Sequence, residues 1–282
     1  MSSAVRLLEA LDTFLESVAA NRHHRRKRRA LRPIEHELER AMQRAFRTQG
    51  REFVKGFAGY AGRFPAEAKE ARLSEALEDW ELEALLRASE TATQRGFILP
   101  IDRAARKALL AGALHAIADV GVELSFALKN PRAVAWLQDY GASRVTLINE
   151  ATREYIKSVV VQGVQEGWSY DRMARAITER YSEFAVGRPQ EHIKSRAHLV
   201  SITECGDAYC EANRIIGEEL QNAGVETEKR WSTIADDRVS NGCQANADAG
   251  WIPFGQPFPS GHQRPLRFPG CRCDLLTRRK VS

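Results

Sequence analysis

No run of about 18 consecutive apolar residues occurs in the 282-residue chain, which excludes a membrane-spanning helix. The first 20 residues mix acidic with apolar side chains and lack a basic-then-apolar layout, so they do not read as a secretory signal. A reducing cytoplasm is the expected compartment. Cysteine is scarce: five residues, with Cys205 and Cys210 close together and Cys243, Cys271 and Cys273 further on, are too few and too unevenly spread for a disulfide scaffold. Packing or metal binding is expected of them instead. Wholesale disorder is also excluded, because 43% hydrophobic and 28% charged residues are ordinary globular values.

The charge that is present is unevenly placed. Residues 22–32 hold seven Lys/Arg (Arg22, Arg25, Arg26, Lys27, Arg28, Arg29 and Arg32) and no acid. The last 19 residues hold six, including Arg278, Arg279 and Lys280, against Asp274 alone. With a total of +5 and residues 1–21 at −2, this leaves residues 33–263 at −5. An acidic body with basic ends suits contact with a polyanion, because clustered cations release condensed counterions from neighbouring phosphates. An assembly or solubilising arm is the equally weighted alternative.

Apolar spacing predicts a mainly α protein, with elongated helical N-terminal and middle regions and a small irregular α+β C-terminal part. One helix follows Ala4 to Val18 and a second begins near Pro33, running through Leu38, Met42 and Phe46. Glycines 50, 56, 59 and 62 are expected to interrupt an aromatic-rich piece, before helices at 67–96 and 102–129. Asn130-Pro131 marks a boundary, with Asn as cap and Pro at the first helical position. Helices then fit 131–140, 144–166, 169–181 with Ser169 as cap, and 190–223, ended by Asn222 to Gly224. From Val225 the texture changes, and 241–270 is crowded with Gly and Pro. Such a stretch loses much chain entropy on ordering and lacks periodic burial to offset it, so something has to pin it.

Cys271 and Cys273 lie two apart, close enough to direct both thiolates at one ion. With Cys243 and the nearest imidazole, His262, they make a set compatible with tetrahedral zinc. Packed free thiols with His262 in a loop are the alternative. Cys205 and Cys210, and likewise His192 and His198, are spaced too unfavourably on a helix to act as close pairs and are read as structural. Glu204, Asp236, Asp237 and Arg238 invite either an acid–base reading or an ion-paired turn.

The series "NPRAVAWLQDYGASRVTLINEATREYIKSVVVQGVQEGWSYDRMARAITERY" at 130–181, "SRAHLVSITECGDAYCEAN" at 195–213, "KRWSTIADDRVSNGCQANADAGW" at 229–251 and "PGCRCDLL" at 269–276 resembles the phage Mu F-type head morphogenesis family. Its members are minor head proteins of the portal vertex of tailed phages. Thr203-Glu204, Trp231, Asp237 and Arg238 fall on the family's motif positions, as does the closing Cys-x-Cys. The chain departs at Ile202, where the family often has Arg, and at Phe268, where it usually has His.

The resemblance implies a domain at 130–282: helical over 130–223, strand-containing over 225–276, with a basic tail at 277–282. It follows a helical region at 1–129 that carries the basic arm. It also implies a structural, non-enzymatic minor head protein without catalytic residues, assisting head assembly, packaging or delivery. Its expected location is the virion, and the host cytoplasm during assembly. Its expected partners are the portal or major capsid protein, with non-specific DNA contact and no membrane, and its expected cofactor is at most one structural zinc. The alternatives are a metal-dependent or acid–base nuclease or toxin-like enzyme using Glu204, Asp236 and His262, or a stand-alone nucleic-acid-binding module.

Overall fold

The computed structural model describes residues 3–62, 79–121, 126–127, 130–186 and 195–280. The expectations for 67–78 and His192 lie outside them. The protein is mostly helical, with a small antiparallel sheet near the C-terminus. The described helices are α1 (Ser3–Ala61), α2 (Asp79–Val120), α3 (Pro131–Gln165), α4 (Tyr170–Val186), α5 (Arg196–Asn222) and the short α6 (Asn241–Asp248). None is long and apolar enough to cross a membrane.

Three helices are longer than the sequence suggests, with α3 running unbroken through the gap expected between 140 and 144. Pro33 lies inside α1 and Pro100 inside α2 rather than at a helix start or stop. A proline within a helix forfeits one ladder hydrogen bond, but burial on both sides outweighs that loss. Leu31 and Leu38 flank Pro33, Phe97 and Ile101 flank Pro100, and all four are at most 2% exposed. The glycines at 50, 56 and 59 likewise sit within α1 instead of breaking it. Gly50 serves a close approach, since a Cβ there would come within 2.7 Å of the Tyr181 Cβ.

Helix ends behave as their residues dictate. The Asn130 side chain accepts from Arg132 N at 2.9 Å, and Pro131 opens α3. Ser169 Oγ accepts from Arg172 N at 3.3 Å, and Ser195 Oγ from His198 N at 3.0 Å. At the end of α5, Gly224 takes φ +80°, Val225 N donates to Leu220 O, and Gly224 N donates to Gln221 O. This glycine-terminated arrangement satisfies carbonyls that the last turn leaves open.

The chain forms two compact units. One comprises His36–Arg103 and Ala135–Ser201, and its core is aromatic. Phe46 meets Phe97 edge-on with centroids 5.2 Å apart, and Tyr181 and Phe184 pack at 5.6 Å. The Arg196 guanidinium lies 4.9 Å from the Phe184 centroid and donates to Ile148 O at 2.8 Å. Burial lowers its pKa to about 10.

The other unit comprises Met1–Glu35, Ala104–Val134 and Ile202–Ser282 and holds the sheet. Strand β1 (Thr227–Ser232) is central, paired antiparallel with β2 (Trp251–Pro253) on one side and β3 (Asp274–Arg279) on the other. Lys229 faces Ile252 across one ladder and Thr277 across the other. Along β1, Thr227, Lys229 and Trp231 are the buried alternation.

Candidate metal centre

Three elements bring the thiols together. Ser240 caps α6, its hydroxyl accepting from Cys243 N at 3.3 Å, which fixes Cys243 in the first turn. Gly270, at φ +82°, donates its N–H to Thr203 Oγ1 at 2.9 Å and turns the chain into Cys271. In the extended piece before β3, alternate side chains point to opposite sides, so Cys271 and Cys273 face inward and Arg272 outward. Arg272 is held there by a two-pronged ion pair to Asp236, with N–O distances of 2.6 and 2.7 Å.

The thiols of Cys243, Cys271 and Cys273 all lie within 4.8 Å of one another, and Cys243 Sγ and Cys271 Sγ are 3.8 Å apart. Tetrahedral ligands about 2.3 Å from zinc stand about 3.8 Å from each other, so this spacing fits such an ion. All three are buried, in a cluster with Trp231, Ile252, Phe258 and Leu275. The Cys271 thiol is drawn down to about 5 by the Cys273 thiol, which donates to it; burial opposes this, and the amides of Cys273 and Arg267 assist. The neighbouring thiolate and burial push Cys273 well up. One thiolate, at Cys271, therefore forms readily, and a cation would be needed to hold a second at Cys273. Trp231 Nε1 is buried without an oxygen or nitrogen acceptor and approaches the Cys273 sulfur. An indole N–H aimed at sulfur suits a metal-bound thiolate, which keeps acceptor capacity.

His262 does not join this group. Its Nδ1 lies 3.0 Å from both the hydroxyl and the carbonyl of Ser260, which Asn246 holds in turn through hydrogen bonds of 2.8 and 3.0 Å. The imidazole nearest in sequence is thus bonded at Nδ1 within its own loop, and among the described residues three sulfurs make up the group. Among the described residues, the thiol trio is the single group of three or more His, Cys, Asp or Glu placed to hold one ion. Glu204, Asp236 and His262, the set a metal-dependent nuclease would need, do not form such a group.

The motif residues divide by burial. Thr203, Glu204 and Trp231 are buried, and Thr203 holds the Gly270 turn. Asp237 is 93% exposed at its side chain, whereas its neighbour Asp236 carries the fork to Arg272 and accepts from Arg238 N at 3.2 Å. Hydrogen bonding from Arg272 holds the Asp236 carboxyl below its usual range, burial opposing and the charges of Arg272 and Arg238 assisting.

Lys27 corrects the reading of 22–32 as a solvated run. It is buried, its ammonium donating to Cys273 O at 2.8 Å and Asp274 Oδ1 at 3.2 Å and lying 3.3 Å from Cys210 Sγ. Burial opposes its charge, yet Asp274 and Cys210 hold the amine above its usual range. Burial likewise pushes the Cys210 thiol up to about 12, so Cys210 is a neutral packed thiol. Arg26 is paired with Asp119, which leaves Arg22, Arg25, Arg28, Arg29 and Arg32 exposed. At the other end, Arg278 pairs with Glu228 and lies over Trp251, and Lys280 pairs with Glu226. Arg279 is exposed and donates to Gly121 O at 3.4 Å.

One buried cation escaped the sequence reading. Lys229 is 1% exposed, donates to the carbonyl and side-chain oxygens of Gln263, and lies 5.1 Å from the Phe258 centroid. Burial lowers its pKa to about 8. Its place in the Trp231 alternation is the signal that could have found it.

Neither a curated protein nor a solved structure matches the chain. Residues 154–276, which contain α4, α5, β1, α6, β2 and all three thiols, match the family described as phage Mu protein F like protein.

Proposed function

We propose that this is a structural minor head protein of a tailed phage, acting at the portal vertex or capsid interior in head assembly, packaging or delivery. One observation carries the reading: the family match falls on the residues that build the thiol-centred sheet. That sheet is a packed module fastened around its thiols. Cys243, Cys271 and Cys273 would hold a structural zinc, which neutralises their thiolates and contributes folding free energy to a Gly/Pro-rich segment with little regular structure. The exposed arginines at 22, 25, 28, 29 and 32 would contact DNA without sequence preference.

The test is co-expression with the cognate portal and capsid proteins. Retention in purified particles, seen by mass spectrometry and cryo-microscopy at the vertex or inner shell, is the expected result. Empty particles lacking the protein would overturn the assignment. Metal analysis should give about one zinc per chain, lost in a Cys271→Ser, Cys273→Ser variant.

A further inference from the structure

Beyond the basic run at 22–32, α1 carries a second set of cations that consists of spaced single residues. Arg40, Arg44, Arg47, Arg51 and Lys55 are all exposed, and all belong to the aromatic-cored unit. At about 100° per residue they fall within an arc of about 80° and extend over about 22 Å of helix axis. The opposite side of this stretch is core, with Met42, Phe46 and Phe53 at 0% exposure. None of the five is ion-paired to a described carboxylate; Arg51 bonds only the Thr48 hydroxyl, at 3.0 Å. The nearby acids are engaged elsewhere or turned away: Glu37 with Arg103, Glu39 with His198, and Glu52 beyond the arc.

This arrangement disfavours the free helix. Arg40 and Arg44, Arg47 and Arg51, and Arg51 and Lys55 are like charges four apart, and such pairs repel. A face that only needed solubility would interleave acids. We propose that this stripe is a seat for the phosphate backbone of duplex DNA, distinct from the 22–32 run. A polyanion removes the repulsion and releases counterions, and the close spacing of phosphates along DNA matches a continuous row of cations better than discrete carboxylates on a protein do. Because the contacts are to phosphates, the stripe reads no sequence. The inference deepens the DNA contact proposed above, and the experiment separates the two.

The full chain and two variants are titrated with two unrelated 30-base-pair duplexes across a salt series. One variant carries Gln at all five stripe positions; the other carries Gln at Arg22, Arg25, Arg28, Arg29 and Arg32. If every stripe cation meets a phosphate, the stripe variant's slope of log affinity against log salt is shallower by about 4.5, equally for both duplexes. An unchanged slope in the stripe variant, with a reduced slope in the 22–32 variant, overturns the stripe and keeps the earlier reading. Unchanged slopes in both overturn both. A stripe variant that binds DNA normally but is lost from particles assigns the face to an acidic protein surface, and this also overturns the proposal. An Arg44→Glu, Arg51→Glu variant guards against misfolding: it should melt at or above the wild-type temperature, since it creates opposite-charge neighbours, while losing DNA affinity at least tenfold.

Discussion

The aromatic-cored unit and the sheet-bearing unit hold their chains by different means. In the first, Phe46, Phe97, Tyr181 and Phe184 pack edge-on or tilted against one another along long helices, so stabilisation is spread over many contacts. In the second, residues 254–273 contain no strand or helix and are held at points: the thiols, the Arg272–Asp236 fork, the Thr203–Gly270 bond and the Lys27 ammonium. Distributed packing tolerates a small loss anywhere. Point fastening concentrates the loss at a few atoms.

The sharpest way to break this comparison is to remove the proposed metal. Chelation, or Cys271→Ser with Cys273→Ser, should cost several kcal/mol, because structural zinc affinity is folding free energy. Hydrogen exchange should show residues 227–279 losing protection while 40–57 keep theirs. Next is Lys27→Met, which strands the buried Asp274 carboxylate and should cost about 3–5 kcal/mol in urea unfolding. Adding Asp274→Leu should recover much of that loss.

Lys229 gives a smaller effect with a defined sign. Its folded pKa of about 8 lies below the ordinary lysine value of 10.5, so between those pH values the unfolded chain binds more protons. Stability should therefore rise from pH 8 toward 10.5 by roughly 1–2 kcal/mol, and be lost again as pH falls through 8. The difference between wild type and Lys229→Met, measured by urea unfolding across this range, isolates the effect. In the aromatic-cored unit, Ile156→Val at a fully buried site should cost only about 0.5–1.5 kcal/mol. The smallest effect is Asp237→Ala, within about 0.5 kcal/mol at an exposed side chain, whereas Asp236→Ala should measurably loosen the Cys271 turn.

What the sequence revealed follows the same division. The helix caps at Asn130, Ser169 and Ser195 and the stop at Gly224 are local chemistry, and three of these four were legible; Ser195 was hidden behind an expected start at 190. The helices through Pro33 and Pro100 were not legible, because tertiary burial overrode a local breaker. The thiol trio was legible from the Cys-x-Cys spacing, but its fourth member was not, since His262 is near in sequence and bonded to Ser260 in space. Lys27 was masked by its neighbours: in a run of seven cations, nothing marks the one that turns inward. The stripe at 40–55 was missed for the opposite reason, because its cations never form a run.

The bond from Lys27 to the carbonyl of Cys273 also sets an order of events during synthesis. At about 5–20 residues per second, the ammonium waits roughly 12–50 s before its acceptor leaves the ribosome. Residues 36–103 and 135–201, which supply the aromatic-cored unit, are made entirely within that interval. The sheet-bearing unit, whose last segment begins at Ile202, can close only afterwards. A nascent chain halted before residue 273 would carry a lysine whose burial site does not yet exist, so ribosome-stalled chains of increasing length should gain protease resistance in two steps, the second only after β3 has emerged.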